Sequence, residues 1–94
     1  MKQYQRVPTK QFRKDFRRLR KAGFDMGKLE QVIDMLAIGK RPEPKYHDHE
    51  LQGKLAGIRE CHIEPDWLLL YHRDHQQLVL VLIRTGTHSR LFEK

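Results

Sequence analysis

The sequence lacks several features that would point to whole classes of protein. It has one cysteine, Cys61, so no intrachain disulfide can form, as is typical of proteins from reducing compartments. No apolar run approaches the ~18 residues of a membrane span. Residues 1–6 contain no apolar segment of the kind that signal peptides have. With no internal repeat or long linker, the chain is expected to be one cytoplasmic domain over residues 1–94.

Positive charge is abundant, and it is concentrated at one end of the chain. The formal net charge is +7, and residues 1–21 hold nine lysines and arginines against Asp15 alone. This segment therefore carries +8, and the remaining residues sum to −1. A concentrated basic surface attracts polyanions such as RNA, DNA or an acidic partner protein. The alternative is a solvated helix face that serves only solubility.

The first half of the chain has helical periodicity. A short strand is predicted at residues 2–7, and Thr9 is a suitable N-cap for a first helix over about 9–22. Asp25 can cap a second helix that Gly39 closes. Because about three residues join the two helices, an antiparallel helical hairpin is expected.

The second half of the chain has the alternation of strands. Three are predicted, at Gly57–Ile63, Trp67–Arg73 and Gln77–Thr85. The links between them are too short for parallel crossovers, so they form antiparallel hairpins, and the first strand is expected to join them. The predicted fold class is α+β in the order β-α-α-β-β-β, with a twisted antiparallel sheet and the two-helix hairpin on one face.

All six histidines lie in this strand-rich half. His62 lies on a predicted strand, Asp66 in the turn after it, and His88 just past the last strand, while His49 precedes the sheet. If the three strands are neighbours, these four side chains converge on one edge of the sheet. Buried strands do not need imidazoles, so the pattern indicates an acid–base site.

Cleavage of an RNA phosphodiester bond fits these residue types. The ribose 2′-hydroxyl must lose a proton and the leaving oxygen must gain one, and histidine, with a pKa of about 6.5, serves either step. Arg84 can stabilise charge on the phosphate, and Trp67 or Phe92 can stack on an unpaired base. A zinc site of His47, His49 and His62 is an alternative, but neither a cysteine pair nor a metalloprotease-type histidine motif supports it. Surface or satisfied core histidines are the other alternative.

Three motifs carry a resemblance to a known family. They are Asp48-His49-Glu50-Leu51-Gln52-Gly53, His62-Ile63-Glu64-Pro65-Asp66-Trp67 and Arg84-Thr85-Gly86-Thr87-His88. In this order and spacing they closely resemble the YafQ-type toxins of the RelE/ParE superfamily of bacterial type II toxin–antitoxin systems. The resemblance covers nearly the whole chain and is looser at the N-terminal end.

The resemblance implies an activity and partners. It implies a ribosome-dependent endoribonuclease that cuts mRNA in the ribosomal A site without a metal or other cofactor. It also implies a cognate antitoxin, usually a DNA-binding dimer. The family's functional positions carry over onto residues that are all present here: His49, His62, Asp66, Trp67, His88 and Phe92.

Roles follow as hypotheses from the residues and the resemblance together. His88 is the expected general acid, and Asp66, with His62, is expected to act as the base or to orient it. His49 would assist proton transfer or hold phosphate, Arg84 would stabilise charge, and Trp67 and Phe92 would shape the pocket. Ribosomal RNA or an acidic antitoxin segment would dock on basic residues of the first helix, namely Arg13, Lys14, Arg17, Arg18 and Lys21.

Two other functions are compatible with parts of this pattern. A ParE-like toxin that attacks gyrase would share the fold, but that group does not share the histidine set. A non-catalytic protein that binds nucleic acid through the first helix would need the arginines and not His88.

Overall fold

The computed structural model describes residues 3–92, and their helices and strands confirm the predicted α+β class. Two short 3-10 turns, at Pro44–Tyr46 and Gly53–Leu55, lie before and after the second strand. The first strand begins later than predicted, and residue 2 of that prediction lies outside the described residues. The elements are β1 Gln5–Pro8, α1 Lys10–Lys21, α2 Met26–Ala37, β2 His49–Glu50, β3 Arg59–Glu64, β4 Trp67–Asp74, β5 Val79–Gly86 and α3 His88–Phe92.

Local signals fix the ends of the two long helices. The Thr9 hydroxyl accepts a hydrogen bond from the backbone N–H of Phe12 at 3.0 Å, so it caps α1 as predicted. Asp25 caps α2 in the same way through the N–H of Gly27 at 3.1 Å. Gly23 follows α1 with φ +88°, a conformation that glycine adopts without steric cost.

The strands form one sheet in the order β1-β5-β4-β3-β2. The antiparallel pairing of β3, β4 and β5 is confirmed. The sheet is nevertheless mixed, because β1 joins it parallel to β5, with Gln5 opposite Val79 and Pro8 opposite Leu82. A short link forces neighbouring strands to run antiparallel. Because two helices and three strands separate β1 from β5, no turn determines their relative direction.

The two faces of the sheet have different environments. The face toward α1 and α2 contributes Cys61, Trp67, Leu69, Tyr71 and Leu80 to the main hydrophobic core. Alternation along β3 and β4 turns the residues between them to the opposite face, which carries Glu60, His62, Leu68 and Leu70. The imidazole-bearing face is therefore the one away from the two long helices.

Two elements were not predicted from the sequence. Strand β2 has only two residues, too few to show an alternating pattern, and helix α3 has five. Contacts from outside the helix support the start of α3, where Asp66 Oδ1 accepts from the backbone N–H of His88 at 3.1 Å. Within residues 3–92, no helix has the length and apolar composition needed to cross a membrane.

Candidate active site

A buried glutamate lies between two imidazoles on the open face of the sheet. Strand β2 places His49 directly opposite Glu60 of β3, and His62 follows two residues later on the same face. The Nε2 atoms of His49 and His62 each lie 3.4 Å from Oε1 of Glu60. Only 6% of the Glu60 side chain is exposed, against 52% for His49 and 22% for His62. A carboxylate so placed can exchange a proton with either ring.

The other ring nitrogens assign the tautomers of these two histidines. Nδ1 of His49 lies 2.8 Å from the carbonyl oxygen of His47, and Nδ1 of His62 lies 3.3 Å from that of Pro65. A carbonyl oxygen only accepts, so each Nδ1 carries the hydrogen. In the neutral rings Nε2, the nitrogen nearest Glu60, is therefore the acceptor.

The segment that carries His47 and His49 is tied to the sheet through Asp48. This carboxylate accepts hydrogen bonds from Arg59, at 2.7 Å from Nη2 and 3.0 Å from Nε, and from the hydroxyl of Tyr71. Burial raises the pKa of Tyr71 and the neighbouring Asp48 carboxylate raises it further, so the phenol stays a donor. His47 adopts φ +50° and brings its ring to 5.6 Å from that of His62.

A second group lies at the carboxyl end of β5. Asp66, in the turn between β3 and β4, accepts from the backbone N–H of His88. The His88 ring lies 5.3 Å from that of Phe92, and both residues are exposed on α3. The contact of Asp66 is thus with the His88 segment and not with an imidazole near Glu60.

Strand pairing puts the two groups at the same end of the sheet. His62 is opposite Leu68, and Leu68 is opposite Gly86, two residues before His88. Two strand spacings separate the Cα atoms of His62 and Gly86 by about 10 Å. His62, Asp66 and His88 therefore lie at one end of the sheet, in two groups on either side of β4.

Trp67 does not line the site, in contrast to its expected role in shaping the pocket. Its ring is 1% exposed and packs edge-on against Phe24 at 5.0 Å. Its Nε1 donates to Oγ1 of Thr85 at 2.9 Å, and that hydroxyl donates to the carbonyl oxygen of Leu68 at 2.8 Å. Because the ring faces the helices, it joins β4 to β5 and has no surface on which a base can stack.

Arg84 is also turned away from the imidazoles. It donates to the buried Asp15 carboxylate of α1, through Nε at 3.0 Å and Nη2 at 2.9 Å. Arg18 and the backbone N–H of Thr85 donate to the same carboxylate at 2.7 Å and 3.2 Å. These contacts favour a structural role for Arg84, and its role in stabilising substrate charge stays a prediction.

The basic surface of α1 is mostly free of internal ion pairs. Lys14, Arg17, Arg18 and Lys21 line a shallow depression of about 390 Å³. Arg18 has its partner in Asp15, whereas none of the ion pairs found within residues 3–92 involves Arg13, Lys14, Arg17 or Lys21. The positive field of this helix is therefore presented to solvent.

Comparison with known proteins decides the family. Residues 4–93 match the model of the bacterial YafQ toxins of type II toxin–antitoxin systems. The chain belongs to this family. It is 41% identical over 83 residues to the mRNA interferase toxin YafQ of Escherichia coli, a match that covers 87% of this chain and 88% of that protein.

Solved structures of similar proteins agree with the family in fold. A copper-bound mutant toxin from Helicobacter pylori is 40% identical with a TM-score of 0.89, covering 95% of this chain and 99% of that one. YafQ in the Escherichia coli DinJ–YafQ complex is 38% identical with a TM-score of 0.86, covering 96% and 99%. The YafQ fold is thus shared over nearly the whole chain.

Glu60 is the site residue that the sequence did not single out. It lies two residues before His62 on the predicted strand, and this spacing, which puts both side chains on one face, was the signal that could have found it. His47, named only as an alternative ligand, also lies at the cluster. Cys61 is buried in the core, and burial raises the pKa of its thiol, which disfavours the thiolate that a nucleophilic cysteine needs.

The residues with suitable donors for a metal ion are the three clustered histidines and Glu60. As the side chains stand, no three histidine, cysteine, aspartate or glutamate residues within 3–92 are arranged to hold a metal ion. The arrangement in this YafQ-family chain is one of imidazoles around a carboxylate.

Proposed function

We propose that this protein is the toxin of a type II toxin–antitoxin pair and acts as an endoribonuclease on mRNA. In detail, it would cut mRNA in the A site of translating ribosomes, in the cytoplasm, and so inhibit translation. Membership of the YafQ family and a curated relative named mRNA interferase support the class of reaction. The observation that carries the proposal is the placement of Glu60 between two Nε2 atoms, with His88 at the same end of the sheet.

The proton steps of RNA cleavage can be assigned to these atoms. Nε2 of His62 takes the proton of the ribose 2′-hydroxyl, and Oε1 of Glu60 shares it. The 2′-oxygen forms a bond to phosphorus, and the bond from phosphorus to the 5′-oxygen breaks. His88 gives a proton to that leaving oxygen, so the products are a 2′,3′-cyclic phosphate and a 5′-hydroxyl. Each step uses a side chain of this protein, and the proposed mechanism is metal-independent.

The neighbouring residues hold this arrangement or bind substrate. Asp66 fixes the backbone at His88 and thereby orients the acid. His49 is the most exposed imidazole beside Glu60, which fits it to contact the phosphate or pass the proton on. Phe92, 37% exposed and beside His88, offers the aromatic surface for an unpaired base that Trp67 cannot offer.

The partners follow from the family and from the basic helix. The Escherichia coli relative is found in a complex with DinJ, so a cognate antitoxin, of the DNA-binding dimeric type, is the proposed neutralising partner. The cationic surface of α1 suits contact with ribosomal RNA, whose phosphates dominate such binding. The same surface suits an acidic antitoxin segment, so neutralisation would also block access to the ribosome.

The test is cleavage of mRNA on purified translating ribosomes, mapped by primer extension. The wild-type protein is expected to make discrete cuts in codon register, and His88→Ala should lower the rate by about 100-fold or more, because general acid catalysis contributes at least that much. His72→Ala is the matched control, since His72 lies on β4 with its ring bonded to the carbonyl of Gly57, away from both groups. Ribosome-free RNA tests the ribosome dependence.

The outcomes separate the candidate functions. Wild-type rates in His88→Ala would overturn its role as the acid. No cuts by a folded wild-type protein that still stops cell growth would favour the gyrase-directed ParE-like function. No cuts and no toxicity would favour a non-catalytic nucleic-acid-binding protein.

A further inference from the structure

One groove is lined by the clustered histidines and also by residues that the acid–base chemistry does not use. The groove has a volume of about 820 Å³, within the roughly 300–1,000 Å³ typical of ligand sites. His62 and its neighbouring histidines line one part of it. The other lining residues include Lys28 and Gln31 of α2, and Lys45 and Tyr46 of the 3-10 turn before His47.

An unpaired strand edge lies along this groove. Strand β2 pairs with β3 only at Arg59 and Glu60. In the described part of the chain, β3 has no strand on its outer side beyond Glu60, and His62, Ile63 and Glu64 line the groove. Backbone N–H and C=O groups at such an edge can bond to a ligand.

Two cations lie beside the groove in weak pairs. Lys28 donates to Glu64 at 2.7 Å, but 52% of the lysine side chain and 42% of the glutamate side chain are exposed. Lys45 is 3.8 Å from Glu43, and both side chains are about two-thirds exposed. Exposed ion pairs of this kind contribute little to stability, so either lysine can leave its carboxylate and pair with a phosphate.

The remaining two side chains suit a nucleobase. Gln31 is exposed on α2 and carries both a hydrogen-bond donor and an acceptor. Tyr46 is half-buried with its ring packed against the edge of the core, so the ring is held as a fixed platform. Lys45 Nζ lies 5.2 Å from the centre of this ring, and a phosphate that attracts Lys45 would uncover it.

We propose that this groove is a subsite for one single-stranded RNA nucleotide next to the cleaved bond, and that it sets part of the sequence preference. Gln31 and the free edge of β3 bond to the base, and Tyr46 stacks on it. Lys28 and Lys45 hold a neighbouring phosphate. The inference rests on the proposed function, because it deepens the description of that same site.

The experiment is the ribosome assay with an mRNA library of randomised codons, in which every cut site is sequenced. Gln31→Ala should relax the preference at a single nucleotide position by about tenfold, because one base contact is lost, while the best site is still cut. Lys45→Ala should raise the protein concentration needed for half-maximal cutting without moving that position. Gln5→Ala is the matched control, an exposed glutamine on β1 at the opposite edge of the sheet.

The possible outcomes distinguish failure of the subsite from failure of the nuclease function. If the wild type cuts and Gln31→Ala and Lys45→Ala keep its preference and its concentration dependence, the subsite is overturned and the nuclease function stands. If Gln31→Ala is folded by circular dichroism yet makes no cuts, Gln31 belongs to the chemistry and the subsite is overturned. If the wild type makes no cuts, the proposed function and the subsite fall together.

Discussion

Asp15 and Glu60 are both buried carboxylates beside the same sheet, and the contrast between their partners separates scaffold from chemistry. Neither side chain is more than 6% exposed. Asp15 is held by two guanidinium groups and a backbone N–H, all within 3.2 Å. Arginine does not lose its proton in proteins, so the charge at Asp15 is permanently matched.

Glu60 has partners whose charge can change. The two Nε2 atoms lie 3.4 Å away, longer than the contacts at Asp15, and both rings reach solvent. Unlike a guanidinium group, an imidazole carries a positive charge only when both of its ring nitrogens hold a proton, so the partners of Glu60 bring no permanent charge. The same buried group therefore holds the fold together at Asp15, and in the proposed mechanism it shares a proton at Glu60.

The largest effect that would test this comparison is expected from Asp15→Asn. An amide cannot match two arginines, so the free energy of unfolding should fall by about 3 kcal/mol, the low end for a broken buried pair. The low end applies because Arg84 and Arg18 keep 27% and 35% of their side chains exposed. Urea unfolding followed by circular dichroism measures the change.

Asp34→Asn serves as the control for that substitution. Asp34 pairs with Arg6 at 2.6 Å, but the two side chains are 64% and 47% exposed, so the loss should stay below about 1 kcal/mol. Equal losses of unfolding free energy in the two variants would show that the burial of Asp15 does not strengthen its ion pairs.

Glu60→Gln should lower activity while leaving stability almost unchanged, the opposite of what is expected for Asp15→Asn. Glutamine keeps the shape of the side chain but cannot take up a proton, so cleavage on ribosomes should slow by about 100-fold. The free energy of unfolding should change by no more than about 1 kcal/mol, because neither partner of Glu60 has a permanent charge that the substitution would leave unpaired. A variant that unfolds as readily as Asp15→Asn, yet cuts at the wild-type rate, would reverse the assignments.

Low pH should remove the contribution of Asp15 to the free energy of unfolding. Burial raises the pKa of this carboxyl, but hydrogen bonds from Arg84, Arg18 and the backbone of Thr85 lower the pKa by more, so it lies below its ordinary value of 3.8. A carboxyl with a lowered folded-state pKa stabilises the fold above the ordinary value and stops doing so as pH falls through the folded one. The difference in unfolding free energy between wild type and Asp15→Asn should therefore be constant above about pH 5 and shrink below about pH 4. A difference that persists unchanged in acid would mean that charge is not its source.

The sequence predicted what depends on near neighbours in the chain. Thr9 and Asp25 cap their helices within three residues, and the short links between strands set their direction. Contacts between residues that are distant in the sequence could not be predicted. The link between Arg84 and Asp15 requires α1 to dock on β5, and neither segment indicates that by itself.

The candidate site residues also divide into those that the sequence could place and those that it could not. The motifs placed His62, Asp66 and His88 at one end of the sheet, because each lies at the end of a predicted strand or in a turn. Glu60 was missed because its partner His49 reaches it through β2, which is too short to predict. Trp67 was assigned to the pocket from the resemblance and from the ability of an indole to stack on a base; because β4 is apolar on both faces, the pattern could not show that the ring turns to the core.

Trp67→Phe is the mildest of these substitutions, and it tests whether the core around Asp15 is linked through β5 to the His88 segment. It removes the hydrogen bond from Nε1 to Thr85, the residue whose backbone also bonds to Asp15, and should cost about 1–2 kcal/mol of stability. Combined with Asp15→Asn, the total loss should be less than the sum, because both substitutions release the same segment of β5. Unchanged stability with a raised KM for ribosomes would mean that the indole touches substrate after all. A stability loss with KM unchanged would fit a buried ring that holds β5, and with it His88, in place.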